Sequence, residues 1–168
     1  MRTVITRVFP AALLALALTV TATAQVQPNE PFHDQTVGAS IQYDQGSSTP
    51  LTGSVFYAKL TDPTHGIFSY TRINETAVNL EPQFSVQTQT ETGFCIFTTK
   101  FGTFDVFSCG SGGLATAGGS TGASGTGTVL VTKAIGKGWS VGVAGGPSYS
   151  GATGKVSYPV GLLFAWGK

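Results

Sequence analysis

Charged residues are scarce in this chain of 168 residues. They make up 10% of it, whereas about a quarter of the residues in a typical soluble domain are charged. Nine basic and eight acidic residues nearly cancel, so the composition lacks the basic excess that is typical of nucleic-acid-binding proteins. We therefore expect neither an ordinary cytosolic domain nor a nucleic-acid partner.

The chain also has only two cysteines, and it lacks an apolar run of the ~20 residues that a transmembrane helix needs. Glycine is abundant, with 23 residues, and the aromatic residues comprise 11 Phe, 5 Tyr and 2 Trp. These aromatic residues, with many β-branched ones, offer enough apolar surface to offset the entropy lost on folding. At this length, the composition predicts one folded domain.

The N-terminus has the features of a secretory signal peptide. Arg2 and Arg7 accompany an apolar stretch at residues 9–20, and the small residues Ala22-Thr23-Ala24 follow it. The apolar stretch is too short to cross a bilayer as a helix. We predict a signal peptide over residues 1–24, so that any membrane insertion of the mature chain must use β-strands.

Beyond a polar N-terminal lead at residues 25–34, apolar and polar residues alternate, which is the pattern of half-buried strands. We therefore predict one all-β domain over residues 35–168. The predicted strands are residues 36–45, 53–62, 66–74, 82–91, 93–100, 103–109, 126–135, 139–146 and 158–167. An even number requires that two of these nine segments merge or that a further strand forms near Leu114. We predict eight strands, with ten as the alternative, and interpret the Gly-rich residues 110–127 as a flexible loop or a weak strand at residues 114–117.

The last two predicted strands separate bulky side chains from small ones. The bulky positions are Tyr158, Val160, Leu162, Phe164 and Trp166 in the last strand and Trp139, Val141 and Val143 in the preceding one. A bulky apolar outer face with aromatic residues at its ends, opposite a small or polar inner face, is typical of strands in transmembrane barrels. We predict an antiparallel up-and-down transmembrane β-barrel in which these eight side chains face the membrane. A soluble β-sandwich, which would bury the bulky face, is the alternative.

The two cysteines, Cys95 and Cys109, are equally spaced about Gly102. A hairpin that turns there places them opposite each other, with Phe97 opposite Phe107 and Thr99 opposite Asp105. We predict a cross-strand disulfide, which an exported chain is free to form. A register slip or a bulge, leaving two free thiols, is the alternative.

The sequence has no motif that indicates catalysis. His33 lies in the polar lead and His65 in a predicted turn with Asp62, and neither accompanies a Gly-x-Ser-x-Gly motif. The sequence has neither the residue spacing of a metal site nor that of a phosphate-binding loop. We predict no enzyme activity, no cofactor and no metal, with a lipid-modifying enzyme as a remote alternative.

The acidic residues are scattered over different predicted strands and loops. They are interpreted as solvated loop residues or as partners in an ion pair inside a barrel. Asp105 is the residue for which we expect such a partner, chosen from Lys59, Arg72 or Lys133. That role is structural.

Taken together, the signal peptide, the small size, the alternating strands and the terminal sequence YPVGLLFAWGK resemble small outer-membrane β-barrel proteins of Gram-negative bacteria, in the opacity-protein and outer-membrane-protein-A-like class. The last strand of that family alternates apolar residues and ends in an aromatic one, which Trp166 matches. Gly167 and Lys168 follow it here, whereas the family usually ends at the aromatic residue. The resemblance implies contact with outer-membrane lipid and insertion by the barrel-insertion machinery, which reads the C-terminal strand.

We therefore expect an integral outer-membrane protein with a structural, surface or adhesion role. Residues 45–52, 74–81 and 147–155 are the predicted surface loops, and their partner is unknown. Eight strands leave an interior just wide enough for side chains, so a diffusion pore is not expected. The alternative is a soluble periplasmic or secreted β-sandwich that binds a small ligand or a partner protein.

Overall fold

The computed structural model describes residue 28 and residues 33–44, 51–80 and 83–168, with residues 77–80 and 83–85 described through their backbone alone. The predicted signal peptide at residues 1–24, seven of the ten residues of the polar lead (25–27 and 29–32) and residues 45–50 of one predicted loop lie outside this part of the chain. Within it, no helix has the length and hydrophobicity needed to span a bilayer.

Ten β-strands make up the regular structure of the described residues. They are β1 (Gln35–Asp44), β2 (Leu51–Asp62), β3 (Ile67–Leu80), β4 (Gln83–Phe101), β5 (Phe104–Ala117), β6 (Ser120–Gly136), β7 (Trp139–Gly145), β8 (Ser148–Ser150), β9 (Lys155–Ser157) and β10 (Pro159–Gly167). The short β8 pairs with β6 beyond the end of β7, and β9 pairs with β8. These two short strands therefore continue β7 and β10, and they do not increase the number of strands around the barrel.

The sheet closes into a barrel of eight antiparallel strands. Each of β1 to β6 pairs with its neighbour in sequence, β6 pairs with β7, β7 with β10, and β10 with β1. The predicted up-and-down barrel of eight strands is confirmed. The alternatives of ten strands and of a β-sandwich are wrong, because the closed barrel has eight strands around its wall and no second sheet.

The predicted strands at residues 82–91 and 93–100 are one strand, β4. The predicted break between them at Thr92 is wrong, because Thr92 and Gly93 are both paired with β3 and β5. Gly93 stands at a close approach of β4 and β5, since a Cβ there would collide with the carbonyl oxygen of Gly110. Glycine at this point permits close pairing instead of breaking the strand. This merger gives the even strand number.

The Gly-rich residues 110–127 form a β-hairpin, so the flexible-loop interpretation is wrong and the strand at residues 114–117 is confirmed. β5 and β6 stay paired up to Ala117 and Ser120. The turn consists of Gly118 and Gly119, both with positive φ, at 54° and 83°, a conformation that glycine adopts without steric cost. The predicted loop at residues 74–81 is likewise mostly strand, because β3 and β4 pair as far as Leu80.

The two ends of the barrel differ. One end, here the turn end, carries three short turns, at residues 62–67, 101–104 and 136–139, and the backbone bonds that join Gln35 to Lys168. At the other, the loop end, β1 and β3 end, β2 and β4 begin, and the chain turns at residues 118–119 and 151–154. The described residues of the three predicted surface loops therefore lie at the loop end, whereas residues 45–50 and 81 fall outside the described part of the chain. In the third of them, Ser148–Ser150 is strand β8 and residues 151–154 form the turn.

Candidate functional site

The outer face of the barrel is apolar, whereas polar side chains are buried inside it. In β1, Ile41 and Tyr43 are 68% and 54% exposed, and the alternate residues Ser40, Gln42 and Asp44 are buried. Other strands also expose large hydrophobic side chains, and β2, β3, β4 and β6 have buried polar residues between them. The large hydrophobic residues that are exposed comprise Val37, Ile41, Tyr43, Leu51, Val55, Tyr57, Ile73, Val86, Phe94, Phe101, Phe104, Leu114, Val129, Ile135, Trp139, Val143, Val156, Tyr158, Val160, Leu162, Phe164 and Trp166.

The eight residues predicted to face a membrane all lie on this outer face. They meet across the pairing of β7 and β10, where Leu162 is opposite Val143, Phe164 opposite Val141 and Trp166 opposite Trp139. Ile41 of β1 continues the row from Leu162. Seven of the eight are exposed, and Val141 is half-buried. The contacts thus make one continuous apolar surface over three adjacent strands.

Exposed aromatic residues lie at both ends of the barrel's outer face. Phe101, Phe104, Trp139 and Trp166 lie on the last or first residues of their strands at the turn end, and Tyr158 lies between β9 and β10 towards the loop end. The ammonium group of a lysine on β6, Lys133, lies 5.8 Å from the centre of the Phe104 ring.

Cys95 and Cys109 are joined by a disulfide between β4 and β5, as predicted. The expected pairing of Phe97 with Phe107 is also confirmed. The expected pairing of Thr99 with Asp105 is wrong, because the register shifts between Phe97 and Thr99, so that Thr99 pairs with Val106. One extra residue in β4 allows a two-residue turn at one end and directly opposed cysteines beyond it.

The half of the interior towards the loop end is polar and crossed by a hydrogen-bond network centred on Glu91. This side chain is 1% exposed. Its Oε2 accepts hydrogen bonds from Arg72 Nε at 2.9 Å and from Ser111 Oγ at 2.8 Å, and its Oε1 accepts one from Thr126 Oγ1 at 3.1 Å. Gln89 Nε2 also donates to Oε1. We call these five residues the polar network; it joins the four adjacent strands β3, β4, β5 and β6.

Arg72 was expected as one possible partner of Asp105, but its ionic partner is Glu91. The other two candidate partners, Lys59 and Lys133, are exposed and lie on the outer face, in the same alternation as Tyr57 in β2 and Val129 in β6. The sequence showed that a charge pair inside the barrel was possible. It did not show which strands are in register, and this register places Arg72 directly opposite Glu91.

The half of the interior towards the turn end is apolar. Its buried residues are Ala58, Phe68, Tyr70 and Cys109, against which Phe56, Leu60, Cys95, Phe107 and Leu130 pack. The ring of Phe107 meets those of Phe68 and Phe97 edge to face, with centroids 6.0 Å and 5.6 Å apart. Beside this apolar cluster is a cavity of about 180 Å³ to which all eight barrel strands contribute side chains.

The two histidines lie at different places at the turn end of the barrel. His65 Nδ1 lies 2.7 Å from Asp62 Oδ2, and Asp62 Oδ1 accepts hydrogen bonds from the backbone N–H groups of Thr64 and His65. This is the polar turn predicted at residues 62–66. His33 packs against Gly167 at the turn end. The described residues contain no group of three or more His, Cys, Asp or Glu side chains that could hold a metal ion.

No known family model matches this chain, and no curated protein matches it in sequence.

Proposed function

We propose that this protein is an integral outer-membrane β-barrel with a structural or adhesion role and without catalytic activity. The observation that carries the proposal is the inverted barrel: large apolar side chains cover the outer face, and Glu91, Arg72 and Gln89 are buried inside. Soluble monomers rarely expose a contiguous apolar patch larger than a few hundred Å². A lipid environment makes the same surface favourable, since a closed barrel also satisfies every backbone group in the sheet.

The height of the apolar surface fits a bilayer. Tyr158 and Trp166 are eight residues apart on the chain, which corresponds to about 26 Å along a strand. A strand tilt of about 40° reduces this to roughly 20 Å along the membrane normal, close to the apolar band of known outer-membrane barrels. In this orientation the aromatic residues at the two ends lie at the level of the lipid headgroups.

The interior argues against a diffusion pore. The polar network joins side chains of four adjacent strands inside the barrel, and the Glu91 side chain at its centre is almost fully buried. Eight-stranded barrels have an interior that side chains fill. The proposed role therefore lies in the surface that the barrel displays. In this arrangement the loop end faces the medium, and the barrel-insertion machinery acts on β10 from the turn end.

Membrane fractionation of cells that express the full chain tests the proposal, combined with SDS gels of boiled and unboiled samples. We expect the processed protein in the outer-membrane fraction after a carbonate wash, with a band whose mobility changes on boiling. Recovery as a soluble periplasmic or secreted protein would overturn the proposal. That result would favour a soluble barrel with a role in ligand binding.

A further inference from the structure

Four outward side chains near the turn end form a row that crosses four adjacent strands. Tyr57 of β2 is paired with Val37 of β1, and Val37 is paired with Trp166 of β10. Trp166 is in turn paired with Trp139 of β7. All four side chains are exposed, and we call them the aromatic row, since three of them are aromatic. Because tyrosine and tryptophan favour the boundary between acyl chains and headgroups, this row marks that boundary in the proposed bilayer.

Three lysines lie two residues beyond the aromatic row, towards the end of the barrel. Lys59 of β2 is paired with Gln35 of β1, and Gln35 exchanges backbone hydrogen bonds of 3.2 Å and 2.9 Å with Lys168. Lys137 lies in the turn two residues before Trp139, and all three lysines are exposed. We call Lys59, Lys137 and Lys168 the lysine row.

The lysine row lies at the depth of the lipid phosphates when the aromatic row lies at the acyl-chain boundary. Two residues correspond to about 7 Å along a strand, which a tilt of about 40° reduces to about 5 Å along the membrane normal. Lys59 and Lys168 are on strands either side of β1, and a strand spacing of about 4.8 Å puts their backbones about 10 Å apart. A phosphate group can therefore lie between their ammonium groups.

The turn end also carries an excess of positive charge. Five of the six lysines of the chain lie there, with three carboxylates, those of Asp34, Asp62 and Asp105. Asp62 is bonded to His65, and Asp105 lines the interior cavity. The lysine row forms no ion pair within the described part of the chain. The outer face at this end is therefore suited to contact with anions.

We propose that the lysine row binds the phosphate groups of anionic phospholipids in the membrane leaflet at the turn end. This inference rests on the proposed membrane location, and it names the class of lipid that the outer face prefers there. Hydrogen bonds from an ammonium group to a phosphate are strong because both partners are charged. An anionic lipid keeps its net charge for this contact, whereas a zwitterionic lipid carries its own cation beside the phosphate.

The test measures lipid preference beside the lysine row through the fluorescence of Trp139 and Trp166. The full chain is folded into vesicles that contain equal amounts of phosphatidylcholine and phosphatidylglycerol, and one of the two lipids carries bromine on its acyl chains. Without a preference, quenching is the same whichever lipid is brominated. We expect stronger quenching by brominated phosphatidylglycerol, with a relative affinity of about fivefold for one lysine at an anionic headgroup. High salt should weaken this preference, because it screens exposed charges.

Variants at the two ends of the barrel locate the effect. Lys59→Gln/Lys137→Gln/Lys168→Gln should lose the preference, and Lys59→Arg/Lys137→Arg/Lys168→Arg, which keeps the three charges, should retain it. Lys59→Gln alone should weaken the preference. Its matched control is Lys155→Gln, which removes one exposed lysine at the loop end and should leave the preference unchanged. This pair of single variants carries the test if the triple glutamine variant does not fold.

Two outcomes would overturn the proposal and leave the membrane location standing. One is equal quenching in the wild-type protein whichever lipid is brominated. The other is a preference that the glutamine variants keep in full, which would place the anionic lipid elsewhere on the barrel. Absence of quenching by either brominated lipid is a different result, since it would contradict the proposed membrane location and this inference with it.

Discussion

At the scale of single residues, the same side chain has different consequences on the two faces of the barrel wall. Leu162 is exposed at the middle of β10, and Leu163, next to it, is buried. An exposed leucine in water contributes little to stability. In the proposed bilayer, the outward residue contacts lipid, and the cost of a charge there depends on its depth.

Replacing Leu162 with arginine tests that dependence. We expect Leu162→Arg to lower the free energy of unfolding by about 2–4 kcal/mol, the cost of an arginine near the bilayer midplane. Leu114→Arg is the matched control, because Leu114 is equally exposed, at 61% against 60%, but lies near the Gly118-Gly119 turn. There the cost should be about 0–1 kcal/mol. Urea unfolding in lipid vesicles measures the loss for each variant. Equal losses in Leu162→Arg and Leu114→Arg would contradict the claim that the two positions lie at different depths in the membrane.

Arg72 and Glu91 provide a second test at this scale, now inside the barrel. Removing one partner leaves the other charge buried, which typically costs about 3–5 kcal/mol. We expect this loss in Arg72→Met and in Glu91→Gln, measured by urea unfolding. The double variant Arg72→Met/Glu91→Gln should be more stable than either single variant, since no unpaired charge remains. A double variant as unstable as the two losses added together would show that the two side chains are not coupled.

At the scale of strands and hairpins, the β4–β5 hairpin has a two-residue turn, then a bulge in β4, then the disulfide. The bulge shifts the register so that the two cysteines lie directly opposite each other. The disulfide links residues 14 positions apart. Closing a loop of about 15 residues stabilises a fold by about 3 kcal/mol, mainly through the unfolded chain. The apolar cluster packs around both sulfur-bearing side chains.

We expect Cys95→Ala/Cys109→Ala to lower the free energy of unfolding by roughly 2–4 kcal/mol without changing the fold. Urea unfolding with and without a reductant measures it. The reductant should destabilise the wild-type protein by a similar amount and leave the double variant unaffected. A wild-type protein whose unfolding midpoint does not move after the disulfide is reduced would refute the stabilising role.

The strands show what periodicity can predict and what it cannot. Alternation in residues 158–167 depends only on neighbouring residues, and it correctly separated the outward Leu162 and Phe164 from the inward Ala165. The disulfide followed from spacing around one turn. The bulge next to Phe97 could not be predicted in this way. A single extra residue leaves the alternation before and after it in β4 intact, and the shift shows only in the pairing with β5.

Glycine was the least predictable residue at this scale. Gly93 and the tract at residues 110–127 suggested a turn and a loop, since glycine is common in both. In the barrel, Gly93 allows β4 and β5 to approach closely. The partner of Arg72 was equally hidden, because it depends on the register of β3 with β4 over many residues. The cavity is a property of the closed ring and has no signal in any one strand.

At the scale of the whole molecule, the barrel has two unlike ends, and the proposed orientation assigns them to opposite sides of a membrane. A short epitope tag inserted between Gly118 and Gly119 is expected at the cell surface, because these residues are the exposed tip of a hairpin at the loop end. A tag between Thr64 and His65, in an exposed turn at the other end, is the control. Antibody should label the first tag on intact cells and the second only after permeabilisation. Labelling of the second tag alone on intact cells would reverse the orientation.

The central claim is that the outer face of the barrel contacts lipid, and tryptophan fluorescence tests it most directly. The two tryptophans of the chain, Trp139 and Trp166, face each other on that surface near the turn end. The protein is folded into vesicles of lipids brominated at chosen depths along the acyl chain. We predict strong quenching by bromines near the headgroups and weaker quenching by bromines at the chain ends. Emission at the wavelength of water-exposed tryptophan, with no quenching at any depth, would contradict the account.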